Sequence, residues 1–562
     1  MNGRFKTELQ GPGTIGNQVM WKGAGFSDDD MARPIIGIAN SFSDMVAGHT
    51  MLREVARMVK YGIYRAGGTP AEFGTIACCD GIADAHEGGN YVLPSRENIA
   101  DAVEIMAHAH RLDGIVLLGS CDKIVPGMLM AAARLDMPCI FVPGGCMLSG
   151  PPALGQGMSD STTASEAMGR YYSGEIGFDE VIRIGHTGAP SCGSCAFMGT
   201  ANSMCCFAEA LGMVLPGGAL IPAVYNERLR CALLSGEKIV ELVMRGISSR
   251  KIMTEKSLEN AVMAMMAIGG STNCVIHSCA IGHELGIDPH RIIDAYDRYS
   301  EMIPLIAKIN PAGHDYDAVD LFQAGGVPEV MKAISGFLHT DAATVTGATI
   351  GENLEAFKNP YPANPGLIRT VENPHSALGG LAVLRGNLAP GTGISKPAAI
   401  HEDALIFTGR AICFDSEDEC VEAIEGRQVK AGHVVVIRYE GPKGGPGMRE
   451  LYKPMKLLYG QGLAREAAII TDGRFSGTNS GCFVGHISPE AAAGGPIALV
   501  KDGDEITIDV IGKRLTLHVD DAELNRRRSE WSYTPRKGVG GFLSRYAAAV
   551  SSADRGAVLE GR

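Results

Sequence analysis

Apolar runs and polar turns alternate along the first third of the chain, and this pattern predicts parallel strands joined by helices. Residues 34–39 and 114–118 are typical of short buried strands, and residues 128–135 have the pattern of a helix. After a polar loop at residues 40–50, an amphipathic helix is predicted with one apolar face formed by Leu52, Val55, Ala56, Val59 and Ile63. Polar groups that follow the strands therefore lie at strand ends, where open α/β sheets bind ligands.

Residues 75–81 repeat this design, because an apolar run leads into Cys79 and Asp80. A stretch rich in glycine and proline near residues 373–390 then marks a candidate boundary. Beyond it the pattern favours strands, including a hairpin around Gly512 and Lys513. We therefore predict an N-terminal α/β domain with an open sheet, residues 1–375, and a C-terminal β-rich domain, residues 376–562.

The composition excludes several classes of protein. A chain of 562 residues predicts two or three domains. Its net charge of −13 argues against nucleic acid as a partner, and no apolar stretch approaches the roughly 20 residues that cross a bilayer. The 15 cysteines, an odd number, and an N-terminal segment without an apolar signal region predict a reducing cytoplasm. We expect a small-molecule ligand.

The most informative segment is the turn after the second strand, where Cys121, Asp122 and Lys123 are consecutive. Thiolates prefer iron–sulfur clusters or zinc, whereas carboxylates prefer magnesium or manganese, so one turn has ligands for two kinds of metal. The alternative is a packed cysteine beside a surface ion pair. Cys192 and Cys195 form a Cys-x-x-Cys pair, typical of a redox motif or half of a zinc site, but no second pair exists for zinc.

Residues 121–127 read Cys-Asp-Lys-Ile-Val-Pro-Gly, and residues 471–478 read Thr-Asp-Gly-Arg-Phe-Ser-Gly-Thr. Both resemble signatures of the dihydroxy-acid dehydratase and phosphogluconate dehydratase family, and the resemblance extends from about residue 34 to the C-terminus. It implies that the second domain is barrel-like. It also implies a dehydratase whose site lies between the two domains.

The resemblance implies an iron–sulfur cluster held by Cys121, Cys195 and Cys79. Family members with a two-iron cluster have a cysteine where this chain has Gly48, and other members have Gly-His there, as in this chain. A [4Fe–4S] cluster is therefore favoured over [2Fe–2S]. Three protein ligands leave one iron open, as in catalytic metal sites.

The same resemblance implies a Mg²⁺ site at Asp80, Asp122, Glu450 and a carbamylated Lys123, because an unmodified lysine repels the cation. Ser476 is the expected base. The expected substrates are 2,3-dihydroxy-isovalerate and 2,3-dihydroxy-3-methylvalerate, in branched-chain amino-acid biosynthesis, and the expected assembly is a homodimer or homotetramer. A sugar-acid dehydratase is the alternative within the family. An iron–sulfur electron carrier or a structural metal module is disfavoured by the paired carboxylates Asp80 and Asp122.

Overall fold

The computed structural model describes residues 9, 12–84, 86–155, 157–475, 481–536 and 539–560. The strands are β1 Ile35–Asn40, β2 Thr69–Gly74, β3 Gly114–Gly119, β4 Cys139–Pro143, β5 Gly150–Pro152, β6 Met158–Ser159, β7 Ala382–Leu384, β8 Thr392–Ser395, β9 Ile406–Phe414, β10 His433–Ile437, β11 Ala468–Thr471, β12 Phe483–Ser488, β13 Glu505–Asp509 and β14 Arg514–Leu517. The α-helices are Ile15–Gly23, Asp28–Met31, Leu52–Arg65, Asp80–Ala83, Gly89–Ala109, Ile124–Leu135, Thr163–Ser173, Phe178–Thr187, Thr200–Ala210, Asn226–Arg245, Ser249–Ile252, Glu255–Ile268, Asn273–Leu285, Pro289–Met302, Ala318–Gln323, Gly326–Ala333, Ile350–Ala356, Glu417–Glu425, Tyr452–Gly460, Asp521–Glu530 and Gly541–Ala549.

The N-terminal part is built on a parallel sheet of four strands in the order β2-β1-β3-β4. Every residue of β1, β3 and β4 is buried, which is why these strands are continuously apolar rather than alternating. The helix Leu52–Arg65 buries the predicted apolar face and packs closely against the helix Asn226–Arg245. A Cβ atom on Gly62 would lie 2.0 Å from the Leu233 carbonyl oxygen, so glycine is what allows this close approach.

The C-terminal part is built on a mixed sheet of eight strands in the order β14-β13-β9-β10-β11-β12-β8-β7. A bridge between Arg385 and Arg514 joins the two edge strands, so the sheet is nearly closed and barrel-like. In β13 the buried residues alternate with partly exposed ones, as in a strand with one face toward the core. The predicted fold class, an α/β part with an open sheet followed by a barrel-like part, is therefore confirmed.

The two parts share a small apolar core close to the candidate site. Leu93 and Ile276 from the N-terminal part pack with Met448, Tyr546 and Val550 from the C-terminal part. The shared core buries apolar area from both parts, so it stabilises their relative position. The predicted domain boundary near residue 375 stays a prediction.

The predicted strands at residues 34–39 and 114–118 and the hairpin around Gly512 are confirmed. The prediction that residues 75–81 contain a strand is wrong. The strand β2 ends at Gly74, which pairs with the last residue of β1, so the chain beyond it has no neighbouring strand to pair with. The helix Gly89–Ala109 contains Pro94. Within the described residues, no helix combines the length and the apolar character needed to cross a membrane.

Candidate metal and cluster site

The site lies on the loops that follow the strands of the N-terminal parallel sheet. The strands β1, β2 and β3 end at one edge of this sheet, and the chain beyond them carries His49, Asp80 and the turn of residues 120–123. The helix Ile124–Leu135 begins directly after that turn. Parallel strand ends meet at one edge, so segments distant in sequence come together there.

Asp80, Asp122 and Glu450 form a carboxylate triad at this edge. One oxygen from each lies within 4.8 Å of the other two. Lys123 is fully buried between them, with Nζ 2.9 Å from Asp80 Oδ1, 3.5 Å from Asp122 Oδ2 and 3.5 Å from Glu450 Oε2. Asp80 Oδ2 is buried and has no hydrogen-bond partner among the described residues. Three converging carboxylates, one with an unused oxygen, fit the hard-ligand set that Mg²⁺ prefers.

The carboxylates of the triad differ in how their surroundings affect ionisation. Burial raises the pKa of Asp80 to about 7 against the attraction of Lys123, and the negative charges of Asp122 and Glu450 add to the rise. Burial also raises the pKa of Asp122. For Glu450 the cost of burial is outweighed by Lys123 and Arg474, and the pKa is lowered. A divalent cation would remove the mutual repulsion that these groups experience.

Glu450 reaches the triad from a glycine-rich loop of the C-terminal part. Arg474 holds this loop, because its Nη1 donates to Glu450 Oε2 at 2.8 Å and its Nε donates to the Met448 carbonyl at 2.7 Å. On the other side, Asn90 donates to two carbonyls of the loop. Gly447 has φ +93°, and a Cβ atom there would lie 2.0 Å from the Asn90 carbonyl oxygen. The loop can therefore come this close to Asn90 only with glycine at position 447.

The loop between two N-terminal helices completes this side of the site. Asn273 Nδ2 donates to Glu450 Oε2 at 3.2 Å, and the hydroxyl of Thr272 donates to the Phe475 carbonyl at 2.9 Å. The chain is therefore held beside the triad up to Phe475. The predicted base, Ser476, lies outside the described residues, and its role stays a prediction.

Cys79, Cys121 and Cys195 lie near one another and near Asp122. Burial raises the pKa of Cys121 well above its ordinary value, and the neighbouring sulfurs of Cys79 and Cys195 raise it further. Burial likewise raises the pKa of Cys195, with Asp122 and Cys79 contributing. Without a metal these thiols stay protonated, and a bound metal would supply the positive charge that favours the thiolates.

The spacing of the three sulfurs suits a cluster better than a single ion. Sulfurs that share one tetrahedral zinc lie about 3.8 Å apart, given zinc–sulfur bonds of about 2.3 Å. Among the residues described here, the carboxylate triad is the only group of three or more His, Cys, Asp or Glu residues whose ligand atoms all lie within 4.8 Å of one another, so at least one of the three sulfur pairs is farther apart than that. Space is also kept beside Cys121, because a Cβ atom on Gly48 would lie 2.6 Å from its sulfur. These residues fit an iron–sulfur cluster.

His49 fixes the turn that carries Cys121, a role that the sequence did not indicate. Its Nε2 accepts hydrogen bonds from the backbone N–H groups of Ser120 at 3.3 Å and Cys121 at 3.1 Å. The ring therefore carries its proton on Nδ1, which donates to the Ser41 carbonyl at 2.7 Å. Burial lowers the pKa of His49 to about 4, which keeps the ring neutral and this pattern intact near neutral pH.

Polar residues and cysteines outside the proposed ligand set have different positions. His86 is exposed in a loop, whereas Arg96 is fully buried and pairs with Glu97. Cys192 is partly exposed, and Cys205 and Cys206 belong to the apolar core. Arg474 was part of a recognised signature, but only the structure shows that it binds Glu450. No spacing rule links residues so far apart in sequence.

Two family models together match most of the chain. The model described as dihydroxy-acid/6-phosphogluconate dehydratase N-terminal matches residues 33–353, and the corresponding C-terminal model matches residues 366–557. The chain is 48% identical to a protein of Acetivibrio thermocellus named dihydroxy-acid dehydratase, covering 97% of this chain and 98% of that protein.

Relatives with the same name occur in other organisms. One from Caldanaerobacter subterraneus subsp. tengcongensis is 49% identical, covering 95% of each chain. One from Pyrococcus furiosus is 48% identical, covering 96% of this chain and 97% of that protein. Both parts of the fold, and the segments that carry the thiols and the carboxylates, lie within the matched residues. The chain therefore belongs to the dihydroxy-acid/6-phosphogluconate dehydratase family.

Proposed function

We propose that this protein is a hydro-lyase that removes water from a 2,3-dihydroxy carboxylic acid and releases the 2-keto acid. Its substrates are 2,3-dihydroxy-isovalerate and 2,3-dihydroxy-3-methylvalerate, in branched-chain amino-acid biosynthesis. Family membership and the shared name of the relatives support this reaction. The observation that carries it is the position of Asp122, which belongs to the carboxylate triad and whose charge also acts on Cys195.

Removing water from this substrate requires two kinds of assistance. A weakly acidic proton leaves C2, hydroxide leaves C3, and the resulting enol becomes the keto acid. The carboxylate side of the site therefore has to stabilise the negative charge that develops at C2. The thiol side has to assist the departure of hydroxide from C3. Asp122 belongs to the carboxylate triad and directly follows Cys121 in the chain, which supports a site where both groups act on one small molecule.

The carboxylate triad would hold Mg²⁺ with Asp80, Asp122 and Glu450 as ligands. A bound Mg²⁺ supplies chelation of the substrate carboxylate and 2-hydroxyl, which makes the C2 proton more acidic. Arg474 orients Glu450 through the 2.8 Å hydrogen bond, and Lys123 joins the ligand set as a carbamate. Carbamylation replaces an ammonium that repels the cation with an oxygen that binds it.

The thiol group would hold a [4Fe–4S] cluster through Cys121, Cys195 and Cys79. Such a cluster, with one iron free of protein ligands, supplies a Lewis acid for the 3-hydroxyl. Gly48 keeps space at Cys121, and His49 holds the backbone of the cysteine. Of the three cysteines, Cys121 is buried, and Cys79 and Cys195 are partly exposed.

Ser476 is proposed as the base that takes the C2 proton. A serine hydroxyl is a weak base, so it requires nearby positive charge to lower its pKa. Arg474, fully buried two residues earlier in the chain, belongs to the same segment as Ser476. Replacing Ser476 with alanine should lower turnover by at least about 10²- to 10⁴-fold and leave the iron and magnesium contents unchanged.

Localisation, assembly, ligand class and domain bounds belong to the same proposal. The 15 cysteines are all free, which suits a reducing cytoplasm. The assembly is a homodimer or homotetramer, and the ligand is a small molecule rather than nucleic acid. The proposed domains are residues 1–375 and 376–562; separate family models for residues 33–353 and 366–557 support a division of the chain into two parts.

The decisive experiment is anaerobic purification followed by a panel of acids, with formation of the 2-keto acid as the readout. The panel contains 2,3-dihydroxy-isovalerate, its methyl homologue and five-carbon sugar acids. We expect the branched acids to have the higher kcat/KM. A higher value for arabinonate or xylonate would overturn the substrate, and failure to dehydrate any 2,3-dihydroxy acid would overturn the function.

A further inference from the structure

Several buried polar atoms near Lys123 have no hydrogen-bond partner among the described residues. They include His277 Nε2 and Arg474 Nη2, both from side chains that are fully buried. A buried donor without a partner is unfavourable, and such donors are rare in native proteins. Two of them near the same lysine indicate a group that they would bind.

The protonation of His277 follows from its neighbour Arg96. Arg96 Nη1 lies 3.2 Å from His277 Nδ1, and a guanidinium can only donate. Nδ1 is therefore the acceptor, and the proton of the neutral ring is on Nε2. Arg96 is itself held by Glu97 and by the carbonyl of Gly556, so this tautomer is imposed by a buried network.

His277 lies close to the triad. It follows Asn273 by one helical turn, so the two side chains share a face of the helix Asn273–Leu285, and Asn273 donates to Glu450. Burial, and then the charges of Arg96, Lys123 and Arg474, lower the pKa of His277 well below its ordinary value. The imidazole is thus a neutral donor within electrostatic reach of the Lys123 ammonium.

Arg474 presents its unused nitrogen to the same region. Its Nε and Nη1 are occupied by Met448 and Glu450, which leaves Nη2. That atom lies 3.8 Å from Asp80 Oδ1, the oxygen that is 2.9 Å from Lys123 Nζ. Arg474 Nη2 therefore lies beside the carboxylate that contacts Lys123, and His277 is close enough for the charge of Lys123 to affect its pKa.

We propose that His277 Nε2–H and Arg474 Nη2–H are positioning groups that bind the outer oxygen of a carbamate on Lys123. The inference rests on the proposed carbamylation and adds the residues that bind the carbamate. In the carbamylation step the neutral amine of Lys123 attacks the carbon of dissolved CO₂ and an N–C bond forms. One C–O π pair moves to oxygen, and the Nζ proton leaves to water. One carbamate oxygen is then available to bind the metal, and the other accepts hydrogen bonds from His277 and Arg474.

The test is carbon-13 NMR of the anaerobically purified, Mg²⁺-loaded protein equilibrated with ¹³C-bicarbonate. The wild-type protein should show a carbamate carbonyl resonance that requires Lys123. His277→Asn keeps an acceptor near the position of Nδ1 for Arg96 but removes the Nε2 donor. We expect it to bind CO₂ about ten- to a hundredfold more weakly, the effect of losing one hydrogen bond to a charged group.

His277→Gln tests the same donor in the opposite direction, because an amide N–H can reach the position of Nε2. It should restore most of the carbamate signal. His283→Asn, on the same helix but partly exposed, should match the wild type. Iron content and thermal unfolding are measured for every variant, so that a folding defect is recognised.

The possible outcomes distinguish failure of this inference from failure of the proposed dehydratase function. A wild-type resonance that stays equally strong in His277→Asn would overturn the role of His277 and leave the carbamate standing. Absence of the resonance in active wild-type enzyme would overturn both the carbamate on Lys123 and the proposed roles of His277 and Arg474. The dehydratase reaction would then be tested only by the panel of acids. Loss in His277→Asn together with recovery in His277→Gln supports the inference.

Discussion

The thiol side and the carboxylate side of the site are assembled from different parts of the chain. All three cysteines lie between residues 79 and 195, and the loop before Cys195 is tied to the Gly48 loop by a hydrogen bond from Gly193 N–H to the Ala47 carbonyl at 3.0 Å. The carboxylate side takes Glu450 from the C-terminal part, where Arg474 donates to Glu450, and Asn90 from the N-terminal part donates to the Gly445 carbonyl of the same loop. The thiol side thus depends on one part of the fold, and the carboxylate side depends on how two parts meet.

This difference means that changes on the two sides should be separable. A change beside Cys121 should alter the cluster and leave the metal site in place. A change in the loop that carries Glu450 should alter the metal site and leave the cluster in place. The following variants test that separation.

The largest effect is expected for Cys121→Ser, because serine is a poor ligand for a cluster iron. We expect loss of iron, of the visible absorbance of the cluster and of activity together. Cys192→Ser is the matched control, since Cys192 is partly exposed and outside the proposed ligand set, and it should keep most of all three. Full cluster retention in Cys121→Ser would refute the ligand assignment.

Glu450→Gln should weaken the metal site on the carboxylate side and leave the cluster on the thiol side in place. The amide keeps the size of the side chain but loses the charge that Arg474 and a cation would bind. We expect turnover to fall by at least about a hundredfold, with iron content and cluster absorbance unchanged. Kinetics and metal analysis on the same preparation check this, and unchanged turnover after removal of Mg²⁺ by a chelator would contradict the metal site.

Two glycine substitutions provide a smaller and matched test. In Gly48→Ala the new methyl group would lie 2.6 Å from Cys121 Sγ, and in Gly447→Ala it would lie 2.0 Å from the Asn90 carbonyl oxygen. We expect Gly48→Ala to lower cluster content and Gly447→Ala to lower turnover of fully iron-loaded protein, each by roughly ten- to a hundredfold. If both variants lost iron equally, the two sides would not be separable.

The smallest effect concerns the support of the Glu450 loop. Glu490 accepts hydrogen bonds from the backbone of Lys443 and Gly444, and burial, followed by the charge of Asp472, raises its pKa to about 7. The folded protein therefore binds this proton more tightly than the unfolded chain does. The contribution of Glu490 to stability is full at acidic pH and is lost as the pH rises from about 4.5 to about 7.

Glu490→Gln should remove this part of the pH dependence, because the amide cannot ionise. The free energy of unfolding of the wild-type protein should fall by up to a few kcal/mol across that interval relative to the variant. Denaturant unfolding at several pH values measures it. A wild-type curve parallel to that of the variant would show that Glu490 does not titrate there.

Much of the architecture could be predicted from local pattern. Continuous apolar runs predicted β1 and β3, and a period of about 3.6 residues predicted the buried face of the helix Leu52–Arg65. The strand predicted within residues 75–81 failed because its apolar residues had no neighbouring strand to pair with. Pairing is a property of the sheet, and a local pattern does not report it.

The amino-acid sequence is enough to show which chemical groups are present and which family the chain resembles. Its two signatures contain Cys121, Asp122, Lys123 and Arg474, and local spacing placed the first three on one turn. The tertiary structure was needed to show that Glu450 meets Asp80 and Asp122 around Lys123, and that Arg474 Nη2 and His277 Nε2 are buried without a hydrogen-bond partner among the described residues. The physical reason is that short-range backbone preferences set strands and turns, whereas contacts between distant residues depend on how the buried faces of the two parts pack.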